Sequence, residues 1–258
     1  MGELDGQIAL ITGIAAGMGT SIAEAFSEAG ATVVGTDIDE PGGRAAMERL
    51  GPQASFTVGD VARVSETAGL IEQVVATHGR LDVLVNNAGV TKSLGFFDVT
   101  ENDWDHINSV NNRGLFFLMQ AAATAMRDAG TGGRIINIAS IAGKGYRGTS
   151  NVAYAGTKGS VIAMTRISAQ QLARFGINVN AICPGVTRTA LFDQVIDELV
   201  DRLGGSREDA EARAVRSIPL RRANDPEDIA SLAVYLASEA ARNVTGQSWN
   251  VDGGLHWD

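Results

Sequence analysis

The sequence is poor in cysteine, histidine and lysine, and each shortage excludes a class of site. Cys183 is the single cysteine, so no disulfide can form within the chain, and a reducing compartment is expected. The three histidines are scattered, with no cysteine cluster beside them, which argues against zinc, and we expect no metal. A formal net charge of -9 argues against a nucleic-acid partner, because such proteins concentrate lysine and arginine on one face.

Long apolar runs are also missing. No uninterrupted run approaches the roughly 20 residues that a membrane-spanning helix needs, and residues 1–6 are acidic, without the apolar stretch of a secretion signal. Position 6 is glycine, where a myristoylation signal has serine or threonine. We therefore expect a cytoplasmic protein without a membrane partner.

Seven short runs of apolar and β-branched residues alternate with helical patterns along the chain. Their hydrophobicity is continuous rather than alternating, which is typical of parallel strands covered by helices on both faces. The predicted strands are residues 8–12, 32–37, 55–58, 83–86, 134–139, 178–182 and 248–251. No linker or repeat interrupts the alternation, so we predict one α/β domain over residues 1–258, with a doubly wound, seven-stranded parallel sheet.

Three helical segments stand out by length or polarity. Residues 100–129 and 152–175 are predicted as two long helices with apolar residues on both sides. Residues 189–217 are a polar, acidic helical insertion. A lid over a pocket and a plain surface segment are both open interpretations of this insertion.

A glycine-rich turn follows the first predicted strand. Residues 12–19 read TGIAAGMG and lead into a helix with an apolar stripe. Glycine allows the tight dihedral angles and close backbone approach that a pyrophosphate needs, and the start of the helix adds unpaired N–H groups. The candidate cofactor-binding residues here are Gly13, Ala16, Gly17, Met18 and Gly19.

Asp37, followed by Ile38, ends the second predicted strand. A carboxylate at this place can accept hydrogen bonds from both hydroxyls of an adenosine ribose, with the capping of a loop as its alternative role. It would repel a 2′-phosphate, and neither Ala16 nor Ile38 supplies a cation to offset that repulsion. The sequence therefore favours NAD over NADP.

Two more strand ends belong to the same edge of the sheet, where doubly wound folds bind ligands. Asn87, Ala88 and Gly89 follow the fourth predicted strand, with a simple turn as the alternative interpretation. Asp60 and Val61 follow the third and are expected to face the adenine, with a surface loop as the alternative.

Tyr154 and Lys158 are four residues apart in a chain with three tyrosines and three lysines. This spacing places both side chains on one face of a helix. An ammonium about 4 Å from a phenolate, at an effective dielectric constant near 20, stabilises it by roughly 4 kcal/mol, about three pKa units. The pair therefore predicts a phenol with a pKa of about 7, able to exchange protons at neutral pH.

With these residues the chain resembles the short-chain dehydrogenase/reductase family over residues 6–254. The motifs are TGIAAGMG at 12–19, NNAG at 86–89, Asn111 within VNNRG, Ser140, YAGTK at 154–158, Pro184-Gly185 with Thr189, and VDGG at 251–254. The departures are small: Gly156 stands where alanine is usual, and Asn112-Arg113 follow Asn111. The resemblance implies a Rossmann fold and a nicotinamide cofactor.

The resemblance also implies a catalytic set of Asn111, Ser140, Tyr154 and Lys158. Tyr154 is expected to take the alcohol proton as phenolate and to return it as phenol in the reverse reaction. Lys158 would lower the phenol pKa, Ser140 would polarise the substrate oxygen, and Asn111 would anchor a water chain from Lys158. The implied cofactor-binding set extends to Tyr154, Lys158, Pro184, Gly185, Thr187 and Thr189.

The resemblance places the substrate pocket between residues 91–94, residues 141–151 and the insertion. The candidate substrate residues are Ser140, Ala142, Arg147, Tyr154 and Val186. The insertion is similar to the extended lid of bacterial polyol, sorbitol and butanediol dehydrogenases, which implies a secondary alcohol as substrate. Lys144, Arg147 and Arg188 either recruit an anionic substrate group or face solvent.

Two other functions remain open from the sequence. An NADPH-dependent reductase of ketones or 3-ketoacyl thioesters is disfavoured by Asp37, and a non-catalytic nucleotide-sensing scaffold is disfavoured by the intact Tyr154 and Lys158. Nucleic-acid binding in the same cleft lacks a basic patch. By the same resemblance the two long helices pair across subunits, so we expect a homodimer or homotetramer that acts on a small-molecule substrate.

Overall fold

The computed structural model describes residues 2–257, without the side chains at positions 191, 194, 195, 198, 199, 202 and 203. Seven parallel strands form one sheet in the order β3-β2-β1-β4-β5-β6-β7. The strands are β1 (Ile8–Thr12), β2 (Thr32–Asp37), β3 (Ala54–Val58), β4 (Val83–Asn86), β5 (Gly133–Ile138), β6 (Ile177–Pro184) and β7 (Ser248–Val251). The helices are α1 (Gly17–Glu28), α2 (Glu40–Leu50), α3 (Val64–His78), α4 (Glu101–Asn108), α5 (Leu115–Ala129), α6 (Val152–Leu172), α7 (Ala190–Leu203), α8 (Arg207–Ala214) and α9 (Pro226–Ala237). The predicted doubly wound α/β fold is confirmed.

Both faces of the sheet are covered by apolar helices. In β1, Ala9 and Ile11 belong to a core shared with α1 and α9, and Leu10 belongs to a second core shared with α3 and α5. Leu10 is aligned with Leu84 of β4 in the sheet, and Leu84 faces the same second core. Because successive residues of a strand point to opposite faces, a strand buried on both sides is apolar at most positions, which explains the nearly continuous runs in the sequence.

The strand bounds follow the prediction within two residues. β6 is longer than expected, since Cys183 and Pro184 still align with residues of β7. Pro184 is the last residue of the strand. β3 and β5 each begin one residue earlier than predicted.

The predicted helix over residues 100–129 contains an irregular turn. Thr100 caps α4 with Asp103 in a capping box, and a π-helical turn at Ser109–Gly114 separates α4 from α5. A Cβ at Gly114 would overlap the carbonyl oxygen of Val61, so the glycine lets this turn lie against the loop that follows β3. A single π-helical turn hardly changes the spacing of apolar residues, so the sequence pattern does not indicate it. The prediction of an unbroken helix is wrong here for this reason.

The insertion at residues 189–217 contains α7 and α8. Phe192 and Ile196 of α7 pack against Ala210 of α8, and Arg207 forms ion pairs with two aspartates of α7. The side chains at positions 191 and 194, which the sequence placed in the insertion, lie outside the described part. Among the helices described, none combines the length and the apolar character that crossing a bilayer requires.

Candidate active site

The glycine turn between β1 and α1 leaves space for a phosphate group directly against the backbone. Gly13 and Gly17 have φ angles of 72° and 60°, which favour glycine. A Cβ at Gly13 would lie 2.9 Å from the Cα of Ala88, and a Cβ at Gly19 would overlap the carbonyl oxygen of Gly13. α1 begins at Gly17, so its first, unpaired N–H groups adjoin the turn.

Asn87 holds this turn against the end of β4. Its Nδ2 donates to the carbonyl oxygens of Thr12 at 2.9 Å and Gly13 at 3.0 Å. The N–H groups of Asn87 and Ala88 donate to the hydroxyl oxygen of Thr12 at 3.0 and 2.9 Å. The carboxyl ends of β1 and β4 are therefore fixed to each other by four hydrogen bonds.

Asp37 joins the same turn to the end of β2. Its Oδ2 accepts the N–H of Ala15 and its Oδ1 accepts the N–H of Asp39, both at 2.9 Å. A carboxylate offers about four acceptor positions, so these two bonds leave capacity for a ribose. The loop-capping role is therefore observed, and it is compatible with the predicted ribose role.

A cleft of about 590 Å³ runs along this edge of the sheet, a volume typical of cofactor and substrate sites. The predicted residues that line it are Gly13, Ala16, Gly17, Met18, Asp37, Ile38, Asp60, Val61, Asn87, Ala88, Gly89 and Thr189. The predicted residues outside its lining are Gly19, Tyr154, Lys158, Pro184, Gly185 and Thr187. The first group spans the expected phosphate, ribose and adenine positions.

Eight lining residues were missed by the sequence reasoning: Ala15, Thr36, Gly59, Ala62, Val90, His106, Val110 and Ala190. Most of them are chain neighbours of predicted residues. His106 and Val110 are four residues apart and therefore lie on one face of the predicted long helix. If His106 had been predicted to line the cleft, this spacing would have predicted Val110 as well.

The end of β6 is occupied with structural contacts. The N–H of Gly185 donates to the carbonyl oxygen of Val251 at 2.8 Å, and a Cβ at Gly185 would lie 2.6 Å from the Cβ of Asp252. Thr187 forms an isolated parallel β-bridge with Asn224. These contacts explain why the segment after β6 reaches the cleft only at Thr189.

Tyr154 lies in the first turn of α6, and its phenol is near the hydroxyl of Ser140, which follows β5. Burial raises the pKa of the Tyr154 phenol, and the hydrogen bond to Ser140 opposes that rise. Ser140 Oγ also accepts the N–H of Ala142 at 3.1 Å. That contact fixes the position of the serine oxygen.

Lys158 is buried at 3% exposure on the same helix. Its Nζ donates to the carbonyl oxygen of Ile138 at 2.7 Å and lies 5.7 Å from the ring centroid of Tyr154. Burial lowers the pKa of Lys158 to about 8, and Cys183 opposes this shift. The expectation that the ammonium brings the pKa of Tyr154 to about 7 is not supported, because burial is the dominant influence and raises that pKa.

Gly143 explains how Ser140 comes to lie beside Tyr154, and sequence reasoning missed it. A Cβ at Gly143 would lie 2.5 Å from the carbonyl carbon of Lys158. The absence of that carbon lets the 3-10 turn at Ile141–Lys144 touch the backbone of α6. The serine, the tyrosine and the lysine are thus brought together by one close backbone approach.

Asn111 lies in the π-helical turn, fully buried. Its Oδ1 accepts the N–H of Val90 at 2.7 Å, and its Nδ2 donates to the carbonyl oxygen of Val90 at 2.8 Å and to Thr157 Oγ1 at 3.3 Å. The side chain therefore holds the segment after Gly89 in place. Its role in a water chain from Lys158 stays a prediction.

Two of the three candidate cations are already engaged. Lys144 Nζ donates to the carbonyl oxygen of Ser248 at 2.9 Å, and Arg188 is 3.6 Å from a carboxylate of α8 and from the carboxylate that caps α9. Arg147 is exposed and has no ion pair with any side chain in the described part of the chain.

Val186 packs against the α7–α8 cluster. No three metal-ligating side chains come together among the described residues.

Comparison with known proteins agrees with this architecture. A family model described as enoyl-(acyl carrier protein) reductase, of the short-chain alcohol dehydrogenase type, matches residues 13–256. A sorbitol dehydrogenase from Cereibacter sphaeroides is 37% identical, over 98% of each chain. The chain belongs to the short-chain dehydrogenase/reductase family.

Two solved structures of this family differ in their cofactors. A 3-ketoacyl-(acyl-carrier-protein) reductase from Brucella melitensis, in complex with NADH, is 30% identical, with a TM-score of 0.88 over 98% of this chain and 99% of that one. A protein assigned as a 2-deoxy-D-gluconate 3-dehydrogenase from Agrobacterium tumefaciens, with bound NADP, is 33% identical, with a TM-score of 0.84 over 98% and 97%. Short-chain dehydrogenases thus use nicotinamide cofactors of both kinds, and the chain is an oxidoreductase of alcohols or ketones.

The pH dependence of this short-chain dehydrogenase follows from the Tyr154 environment. The predicted role of Tyr154 in alcohol oxidation needs the phenolate, and burial raises the pKa of this phenol, so kcat/KM for oxidation should rise with pH through neutrality into the alkaline range. Ser140→Ala removes the hydrogen bond that holds this pKa down and should move the rising limb to higher pH. Ser160→Ala, on the same helix, is the control, and an unmoved limb in Ser140→Ala would contradict the assignment.

Proposed function

We propose that this protein is an NAD(H)-dependent oxidoreductase that interconverts a secondary alcohol and its ketone, with a polyol, a sugar or another small hydroxylated compound as substrate. The observation that carries the proposal is the position of the buried Lys158, whose Nζ lies 5.7 Å from the ring centroid of Tyr154, with Ser140 near the phenol. The nearby cleft, lined by the glycine turn and Asp37, supplies a place for the cofactor.

The residues of the glycine turn, Asp37 and Thr189 would hold the dinucleotide, and when bound its nicotinamide accepts or returns the hydride. Ser140 donates to the substrate oxygen and fixes it beside Tyr154. Tyr154 takes the hydroxyl proton during oxidation and returns it during reduction. Lys158, held by the carbonyl oxygen of Ile138 beside the tyrosine ring, supplies a positive charge near the phenol at pH values below its pKa of about 8.

NAD rather than NADP is proposed because of the charge at the end of β2. Asp37→Asn keeps the shape of the side chain and removes the carboxylate charge that would repel a 2′-phosphate. We expect the ratio of kcat/KM for NADP to that for NAD to rise by about tenfold to 100-fold, as one charge at a partly exposed site allows. Asp39→Asn, which keeps an N-capping side chain on α2, should change the ratio less than about threefold.

The direct test of the proposed function is a screen of the purified protein. Polyols, sugars, hydroxy acids and steroids are each mixed with NAD or with NADP, and the absorbance of the reduced nicotinamide is followed. We expect turnover of at least one polyol or sugar with NAD. A preference for NADP by about tenfold or more, which is about 1.4 kcal/mol, would overturn the Asp37 argument.

A second candidate function is the NADPH-dependent reduction of a ketone or a 3-ketoacyl thioester. The likeness to the Brucella melitensis reductase supports the reduction of a ketoacyl thioester, but that structure holds NADH. The use of NADPH is opposed by the carboxylate at Asp37. The two candidates differ in the same screen, because this reductase would oxidise NADPH with a ketoacyl thioester and leave polyols untouched.

Arg147 is proposed to recruit an anionic group of the substrate. Its support is that Lys144 and Arg188 are engaged elsewhere, which leaves Arg147 as the exposed cation of the segment between Ser140 and α6. Arg147→Ala should raise KM for an acidic sugar more than for a neutral one, because a charged hydrogen bond contributes about 1.5–3 kcal/mol. Equal changes in the two KM values would contradict the proposed role of Arg147.

The assembly is proposed to be a homodimer or a homotetramer in the cytoplasm. A groove between α5 and α6, with a volume of about 310 Å³, supports pairing through these two helices. It is lined by apolar side chains such as Phe116, Leu172 and Phe175 together with Arg127. Sedimentation of the purified protein distinguishes the two states from a monomer.

A further inference from the structure

A buried amide outside the catalytic set joins the catalytic helix to the neighbouring loop. Asn151 directly precedes α6 and is 4% exposed. Its Oδ1 accepts the N–H of Tyr154 at 2.7 Å. Its Nδ2 donates to the carbonyl oxygen of Lys92 at 2.7 Å and to the hydroxyl of Thr91 at 3.4 Å. Both ends of one side chain are therefore engaged, one on each structural element.

The loop on the other side of this amide is fixed along its length. A Cβ at Gly89 would lie 3.5 Å from the Nζ of Lys158. Asn111 binds both the N–H and the carbonyl oxygen of Val90. The hydroxyls of Thr91 and Ser150 lie 2.5 Å apart, and the N–H of residue 94 donates to the carbonyl oxygen of Ser150 at 3.1 Å. Gly89 and Val90 also line the cofactor cleft.

We propose that Asn151 is a positioning residue, which fixes the first turn of α6, and with it Tyr154, onto the 90–94 loop at the edge of the cofactor cleft. This inference deepens the proposed function and rests on it for the catalytic effect.

The effect is specific to Tyr154 because of where each residue lies on α6. Tyr154 is the third residue of the helix, and its N–H is one of those that have no partner within a helix. Lys158 lies one turn later and has its own anchor at the carbonyl oxygen of Ile138. Loss of the Asn151 cap therefore frays the turn that carries the tyrosine and leaves the lysine in place.

Amide hydrogen exchange tests this placement without substrate or cofactor. Asn151→Ala removes both contacts, whereas Asn151→Ser keeps a capping oxygen for the Tyr154 N–H and is too short to reach Lys92. We expect Asn151→Ala to speed exchange about fivefold or more in residues 152–155 and in residues 90–94. Asn151→Ser should do so only in residues 90–94. Unchanged exchange in both segments of Asn151→Ala would overturn the proposal.

Turnover and NADH affinity then separate positioning from general stability. Asn151→Ala should lower kcat by about tenfold to 100-fold and change the NADH dissociation constant, read by its fluorescence, less than about threefold. Thr100→Ala, which removes the cap of α4, should lower Tm without lowering kcat. Turnover is measured at a temperature below the Tm of every variant. An unchanged kcat in Asn151→Ala under these conditions would also overturn the proposal. If no substrate is turned over by the wild type, the proposed function fails, and the exchange result still decides the placement of Asn151.

Discussion

Tyr154→Phe is expected to lower kcat by at least about 100-fold and to leave NADH binding within about threefold of the wild type. The change removes the hydroxyl that exchanges the substrate proton, a contribution typically worth about 100-fold to 10,000-fold. The ring, which packs beside Lys158, stays, so the fold and the cleft should be unaffected. Steady-state turnover and NADH fluorescence measure the two quantities on the same preparation.

Tyr235→Phe is the control for this prediction, since Tyr235 lies on α9 at the surface. It should keep the full kcat. If Tyr154→Phe retains the activity of the wild type, Tyr154 is not the acid and base, and a nucleotide-sensing scaffold becomes the better account. A parallel loss of NADH affinity would instead assign the tyrosine to cofactor binding.

Gly19→Ala should raise the NADH dissociation constant by at least about 100-fold. Its Cβ would overlap the carbonyl oxygen of Gly13 and lie 2.6 Å from the Nδ2 of Asn87, so the turn must move and the contacts of Asn87 with it. A hydrogen bond to a charged group contributes about 1.5–3 kcal/mol, and displacement of one or two phosphate contacts gives the expected loss. A fluorescence titration with NADH measures this dissociation constant.

Gly156→Ala is the matched control, a glycine in a helix whose added Cβ meets no described atom within 4 Å. It should raise the free energy of unfolding by about 0.4–1 kcal/mol, because alanine restricts the unfolded chain, and leave NADH affinity unchanged. An unaffected affinity in Gly19→Ala would contradict the assignment of the turn to the cofactor phosphates.

The sequence predicted the features that depend on pattern along the chain. In Ile135–Ile138 three of the four residues are apolar because both faces of the sheet are covered, and the structure has the strand there. The glycine turn and Asp37 were found because a tight turn and a strand end constrain residue type locally. Twelve predicted residues consequently line one cleft.

The features that depend on proximity between distant segments were not predictable in this way. The close approach of Gly143 to α6 and the contact of Asn151 with Lys92 join segments whose spacing in the sequence carries no signal. The pKa of Tyr154 depends on burial, which a helical spacing of tyrosine and lysine does not report. The same holds for Lys144, whose contact with β7 removes it from the list of free cations.

Deuterium transfer tests the central claim most directly. The protein is mixed with NAD and with polyols deuterated at each carbinol carbon in turn, and the reduced cofactor is examined by mass spectrometry. The account predicts one deuterium in the nicotinamide from at least one labelled position of at least one polyol, with the transfer lost in Tyr154→Phe. Reduced cofactor without label from every position, or label transferred equally by Tyr154→Phe, would contradict it.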